Sequence, residues 1–162
     1  DTLQIEVNVM PGKGVLQMTG QMGDVMKESA QIALTYVRSV ASDYGVKENY
    51  FEKHDIHLHI PEGAVPKDGP SAGITMAKAT GRKVLPRVAM TGEVTLRGHV
   101  LMIGGLKEKL LAARMAQVEK VLVPAKNQPD VEELSKEITK GMEIVYIKEM
   151  NEVIREAFVP EK

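Results

Sequence analysis

Ile5, Val7 and Val9 alternate with Glu6 and Asn8, a period of two that places the apolar side chains on one face of a half-buried strand. Pro11-Gly12-Lys13-Gly14 then turns the chain toward a second strand at Val15 to Met18, so an N-terminal strand pair is predicted. The period changes at Asp24. Met26, Ala30, Ala33, Val37, Val40 and Tyr44 follow at helical spacing until Gly45 supplies a stop, which predicts an amphipathic helix from Asp24 to Tyr44. Alternation returns in Asp55-Ile56-His57-Leu58-His59-Ile60, a strand with Ile56, Leu58 and Ile60 on one face and two imidazoles on the other. The segment PEGAVPKDGPSAG is rich in proline and glycine and obeys neither period; it reads as an irregular loop until Pro70-Ser71, where a helix can begin.

Beyond that helix, Arg87 to Thr91 reads as a strand and Glu93 to Ile103 as a hairpin turning near Arg97-Gly98. Gly104-Gly105 opens the helix LKEKLLAARMAQ, and VEKVLVP, NQPDVEELSKEI, MEIVYI and NEVIREAF continue as strand, helix, strand and helix. Alternation of this kind predicts an α/β (α+β) fold with some parallel pairing, mixed sheets and packed helices. No repeat, low-complexity tract or linker divides the chain, so one domain over residues 1–162 is expected.

Composition narrows the chemistry. A net charge of -1 provides no global basic field, so nucleic acid as a partner finds no support. Cysteine is absent, which removes disulfides, thiolate zinc sites and thiol nucleophiles together. No apolar run is long enough to span a bilayer, and no leader pattern opens the chain, so no membrane role is expected. The chain starts at Asp1 and enters a strand almost at once, which suggests a fragment of something longer. Neither a phosphate-cradling G-x-x-x-x-G-K-[ST] loop nor a G-x-G-x-x-G strand-to-helix turn occurs, so any coupling to ATP belongs to another domain.

Three groups of residues carry candidate chemistry. Ser71 sits in Asp68-Gly69-Pro70-Ser71-Ala72-Gly73, where small neighbours admit a substrate backbone and the N–H groups of the following helix start suit an oxyanion; the alternative is an ordinary helix cap. Lys107 lies at the start of a helix with Leu110 and Leu111 one turn on, where burial and the helix dipole favour a neutral amine, while Lys109 faces another direction and reads as solvated. The alternative for Lys107 is a stem lying on the core with its ammonium in water. His57 and His59, with Glu62 just beyond, permit a metal site or a Ser-His-acid arrangement, against which stands the plainer reading of hydrogen-bonded histidines supporting the loop.

Taken together, the stretches TGQMGDVMKESAQ, HDIHLHIPEGAVPKDGPSAG, VAMTGEVTLRG and IGGLKEKLLAA closely resemble the proteolytic domain of Lon, the ATP-dependent serine protease, and in that family's order over nearly the whole chain. The resemblance implies a Ser-Lys dyad with Ser71 as nucleophile and Lys107, the first lysine of GGLKEK, as general base. It implies that Thr91 orients that lysine through its hydroxyl, and that Gly69, Pro70 and Ala72 form the loop around the oxyanion. Asp68 and Glu62 match acidic positions of the same loop, with a loop-ordering or regulatory role; an anionic Asp68 beside the lysine would raise its pKa and oppose catalysis. The stretch between Ser71 and Met90 is several residues shorter than the family pattern, and Met102 stands where the family usually carries proline.

Further expectations follow from the same resemblance. No cofactor or metal is expected in this domain, ATP and magnesium belonging to an upstream AAA+ ATPase module; the partners are unfolded polypeptide substrates and further copies in a hexameric ring. The setting is the bacterial cytoplasm, with the mitochondrial matrix as the alternative, and the task is the removal of unfolded or damaged proteins and selected regulators. The competing function is a catalytically silent module that closes the ring. A metal hydrolase built on His57 and His59 ranks far behind.

Overall fold

The computed structural model describes residues 6–20, 22–61 and 85–157. Strand β1 (Glu6–Pro11) pairs antiparallel, and β2 (Leu16–Gly20) parallel, with β3 (His54–Ile60). Their order is β1-β3-β2. The predicted N-terminal strand pair therefore shares a sheet but is split by β3. The cause lies in the turn between the strands. One Asp55 carboxylate oxygen accepts from the backbone N–H groups of Lys13 and Val15, at 2.8 Å each, and Gly12 N–H donates to the Lys53 carbonyl. These bonds tie the turn to β3 in place of the ladder that would close a hairpin. A side chain at Gly12 would collide with the Asp55 carboxylate, which explains the glycine.

Helix α1 (Asp24–Val40) runs into a 3-10 turn at Ala41–Tyr44 and ends at Gly45 with φ 76°, a left-handed residue that only glycine adopts without strain. Its stripe of Met26, Ala30, Ala33 and Val37 is buried in one apolar cluster with Ile56, Leu58 and Ile60 of β3. The helical and two-residue periods read from the sequence thus meet face to face.

A second sheet is all parallel, with β4 (Val88–Met90), β7 (Lys120–Pro124) and β8 (Glu143–Ile147) in the order β4-β7-β8. Both of its faces are covered, as parallel sheets require. Leu122 and Ile147 join the cluster of α1, and so do Met150, Val153, Ile154 and Ala157 of α5 (Met150–Ala157). On the other face, Val121 and Val123 pack with Leu106, Leu110 and Ala113 of α2 (Leu106–Met115) and Val131 of α3 (Gln128–Glu132). Strand β7 is thereby shared by two apolar clusters. The hairpin β5 (Glu93–Val94) and β6 (Val100–Leu101) links the sheet to α2, with Gly98 N–H donating to the Thr95 carbonyl in its turn. A short helix α4 (Lys136–Thr139) precedes β8. The α/β class read from the sequence is the class observed.

Candidate active site

Helix α2 begins after Gly105, which takes φ 68° and lets the chain leave β6 and turn straight into the helix. Its buried stripe is Leu106, Leu110 and Ala113. Helical geometry places residues two apart about 200° from one another, so Lys107 and Lys109 must leave opposite flanks of that stripe. Lys109 leaves on the side of β4. Its Nζ donates a hydrogen bond to Thr91 Oγ1 at 3.3 Å. Lys107 is exposed on the other flank, and Leu111, one turn after it, is exposed as well. The inward placement of Lys107 read from the sequence is corrected by the helix's actual stripe; Lys109 is exposed along its length, as read, but its Nζ reaches Thr91. The signal was present: Leu106, Leu110 and Ala113 define the inner face, and Leu111 does not belong to it.

Thr91 meets the lysine from a fixed position. It is 6% exposed, immediately follows β4, and its N–H donates to the Leu122 carbonyl of β7 at 3.1 Å. A buried hydroxyl held by its own backbone is a directional partner for an amine. Ser71, Asp68, Glu62, Gly69, Pro70 and Ala72, and the helix predicted from Pro70-Ser71, lie outside the described residues.

His57 and His59 project from β3 opposite Ile56, Leu58 and Ile60, as the alternation requires. Thr19 Oγ1 of β2 lies 2.7 Å from His57 Nε2 and 2.7 Å from His59 Nδ1. A hydroxyl can donate one hydrogen bond and accept others, so a single Thr19 side chain serves both rings, with the directions set by the histidine tautomers. The two imidazoles are thus tied to a neighbouring strand. Among the described residues, no three His, Cys, Asp or Glu side chains gather in a way that could hold a metal ion. No helix among them is long and apolar enough to cross a membrane.

One residue of this region was not singled out by sequence reasoning. Asn127 is fully buried, and its side-chain amide pairs with both backbone groups of Ile103, just ahead of Gly104-Gly105 and α2. In sequence it resembles any polar residue capping the turn after a strand, and only the packing of that turn reveals its burial.

Comparison with known proteins adds the following. The family model described as the Lon protease (S16) C-terminal proteolytic domain matches residues 1–160. The chain is 64% identical to the Lon protease of Lachnoclostridium phytofermentans over 98% of its own length and 20% of that protein's. It is 55% identical to the Lon protease of Heliobacterium modesticaldum over 98% of the chain and 20% of that protein, and 52% identical to Lon protease 1 of Bacillus subtilis over 100% and 22%. The chain spans about a fifth of the length of these relatives.

Proposed function

This chain belongs to the family of Lon protease C-terminal proteolytic domains, and we propose that within it Ser71 and Lys109 form the catalytic dyad of a serine endopeptidase. The single observation that carries the choice of base is the hydrogen bond from Lys109 Nζ to Thr91 Oγ1. Family membership makes a protease the function to be explained, and the absence of cysteine from the sequence removes a thiol as its nucleophile.

The chemistry proceeds as follows. Lys109 in its neutral form directs one N–H to Thr91 and keeps its lone pair for Ser71. The Ser71 Oγ attacks a peptide carbonyl carbon while its proton passes to Lys109 Nζ, and the carbonyl oxygen becomes an oxyanion. The resulting ammonium protonates the departing amine as the C–N bond breaks. Water then attacks the acyl-enzyme by the same relay, releasing the carboxyl product and returning the proton to Ser71. Gly69, Pro70 and Ala72 are assigned to the loop around the oxyanion, where loss of one donor costs about 3 kcal/mol of transition-state stabilisation. Asp68 and Glu62 are assigned to ordering that loop. A carboxylate in contact with Lys109 would hold it protonated, so both belong at its margin.

Unfolded or damaged proteins and selected regulators are the proposed substrates, with ATP and magnesium used by an AAA+ module elsewhere in a longer protein, since this sequence holds no phosphate-cradling loop. A hexameric ring in the bacterial cytoplasm is the proposed setting. Hydrolysis of a short, unstructured fluorogenic peptide tests the reading without any need for unfolding. Ser71→Ala should reduce it by at least about a thousand-fold, with the far-UV circular dichroism unchanged. Undiminished turnover by Ser71→Ala would remove Ser71 as the nucleophile.

A further inference from the structure

We infer that Asn127 is a positioning residue for the dyad lysine, acting through the backbone of Ile103. The inference rests on the Ser71–Lys109 reading and adds to it the device that holds α2 in register with Thr91.

Asn127 lies three residues beyond β7 and is 0% exposed. Its Oδ1 accepts from Ile103 N–H at 2.9 Å, and its Nδ2 donates to the Ile103 carbonyl at 2.9 Å. A backbone N–H can only donate and a carbonyl only accept, so this pairing fixes which way the amide points. The remaining Nδ2 proton goes to Asp130 Oδ2 at 2.8 Å. The side chain therefore behaves like one residue of a β-ladder laid against Ile103, in the turn that follows the end of β7. Buried backbone groups without such partners would be left unsatisfied.

What Ile103 controls gives the arrangement its consequence. Gly104 and Gly105 follow it, and Gly105 at φ 68° leads directly into α2, which carries Lys109 on its first turn. Two glycines form a loose joint, and nothing stands within 4 Å of the position a Cβ would take on Gly104. The direction of α2 must therefore be set on either side of the joint. Leu106, Leu110 and Ala113 set it from within the helix by packing on β7, and Asn127 sets it from the segment that leads from β6 into the joint. The same β7 holds the other partner, because Thr91 N–H donates to the Leu122 carbonyl. One strand and its exit turn thus position both sides of the Lys109–Thr91 hydrogen bond. A displacement of the α2 start by a fraction of an ångström lengthens a contact that already measures 3.3 Å.

The test compares the unaltered chain with Asn127→Ala and Asp130→Ala. The second variant removes only the exposed partner that steadies the amide, so it remains informative if the first folds poorly. Two readouts are taken at a temperature where circular dichroism shows native structure: the kcat and KM of peptide hydrolysis, and the titration midpoint of the Lys109 side chain followed by NMR. For Asn127→Ala a kcat lower by about ten- to a hundred-fold is expected with KM nearly unchanged, since misplacement by about 1 Å has that effect on a reacting group. The Lys109 midpoint should differ from that of the unaltered chain, and Asp130→Ala should show smaller changes in the same directions. The inference is overturned if both variants keep the kcat and the Lys109 midpoint of the unaltered chain while only the melting temperature falls. Failure of the dyad reading looks different: Lys109→Met would then retain activity whatever Asn127 does.

Discussion

At the scale of single residues, the decisive contact is between an amine and a hydroxyl on different elements. Lys109 and Thr91 are 18 positions apart and meet because α2 packs on the sheet that β4 opens. Replacing Thr91 by valine keeps its shape but removes the acceptor, so Thr91→Val should lower kcat by about ten-fold, in the range of a lost hydrogen bond of about 1.5 kcal/mol. Thr91→Ser, which keeps the hydroxyl, should remain close to the unaltered rate in the same peptide assay. The sequence singled out Thr91 and Lys107 and set Lys109 aside as solvated. Two apolar residues in succession, Leu110 and Leu111, left the inner face of the helix ambiguous, and only the observed burial of Leu106, Leu110 and Ala113 resolves it.

At the scale of elements, the turn between β1 and β2 depends on one carboxylate. Asp55 accepts backbone hydrogen bonds from Val15 and Lys13, which hold its carboxyl below the ordinary carboxylate range. A pKa lowered in the folded state contributes stability that is present above the unfolded value and lost as pH falls through the folded one. Asp55→Asn should therefore lower the urea midpoint at neutral pH and flatten its dependence on pH across the acid range; an unchanged acid limb would contradict this assignment. The individual strands and helices were legible because their periods are strong: α1, β3, β7, β8 and α5 lie where alternation or helical spacing placed them. The pairing order was not. A side chain 40 positions away from Val15 takes hydrogen bonds that a local reading assigns to a hairpin.

At the scale of the molecule, β7 joins two apolar clusters and, among the described strands of its sheet, is the most deeply buried. Leu122 faces the cluster of α1 and α5, while Val121 and Val123 face that of α2 and α3. Leu122→Ala should cost about 2–5 kcal/mol, the range for emptying a packed leucine site. Because the strand is common property, we expect a single unfolding transition for the described core, with far-UV circular dichroism and tyrosine fluorescence coincident in urea. Two separated transitions would show that the clusters unfold independently. The same coupling links packing to chemistry, since β7 also supports Thr91 through Leu122 and α2 through Asn127. That linkage had no signature in the sequence, where Asn127 is one polar residue among several after a strand.

The central claim is that the lysine facing Thr91 accepts the serine proton. The most direct measurement is peptide hydrolysis by Lys109→Met beside Lys107→Met, each checked for native circular dichroism. Loss of Lys109 should reduce turnover by at least about a thousand-fold, while loss of Lys107, on the opposite flank of α2 from Thr91, should leave it near the unaltered rate. Retained activity in Lys109→Met together with loss in Lys107→Met would contradict the account and return the role of base to the first lysine of the pair.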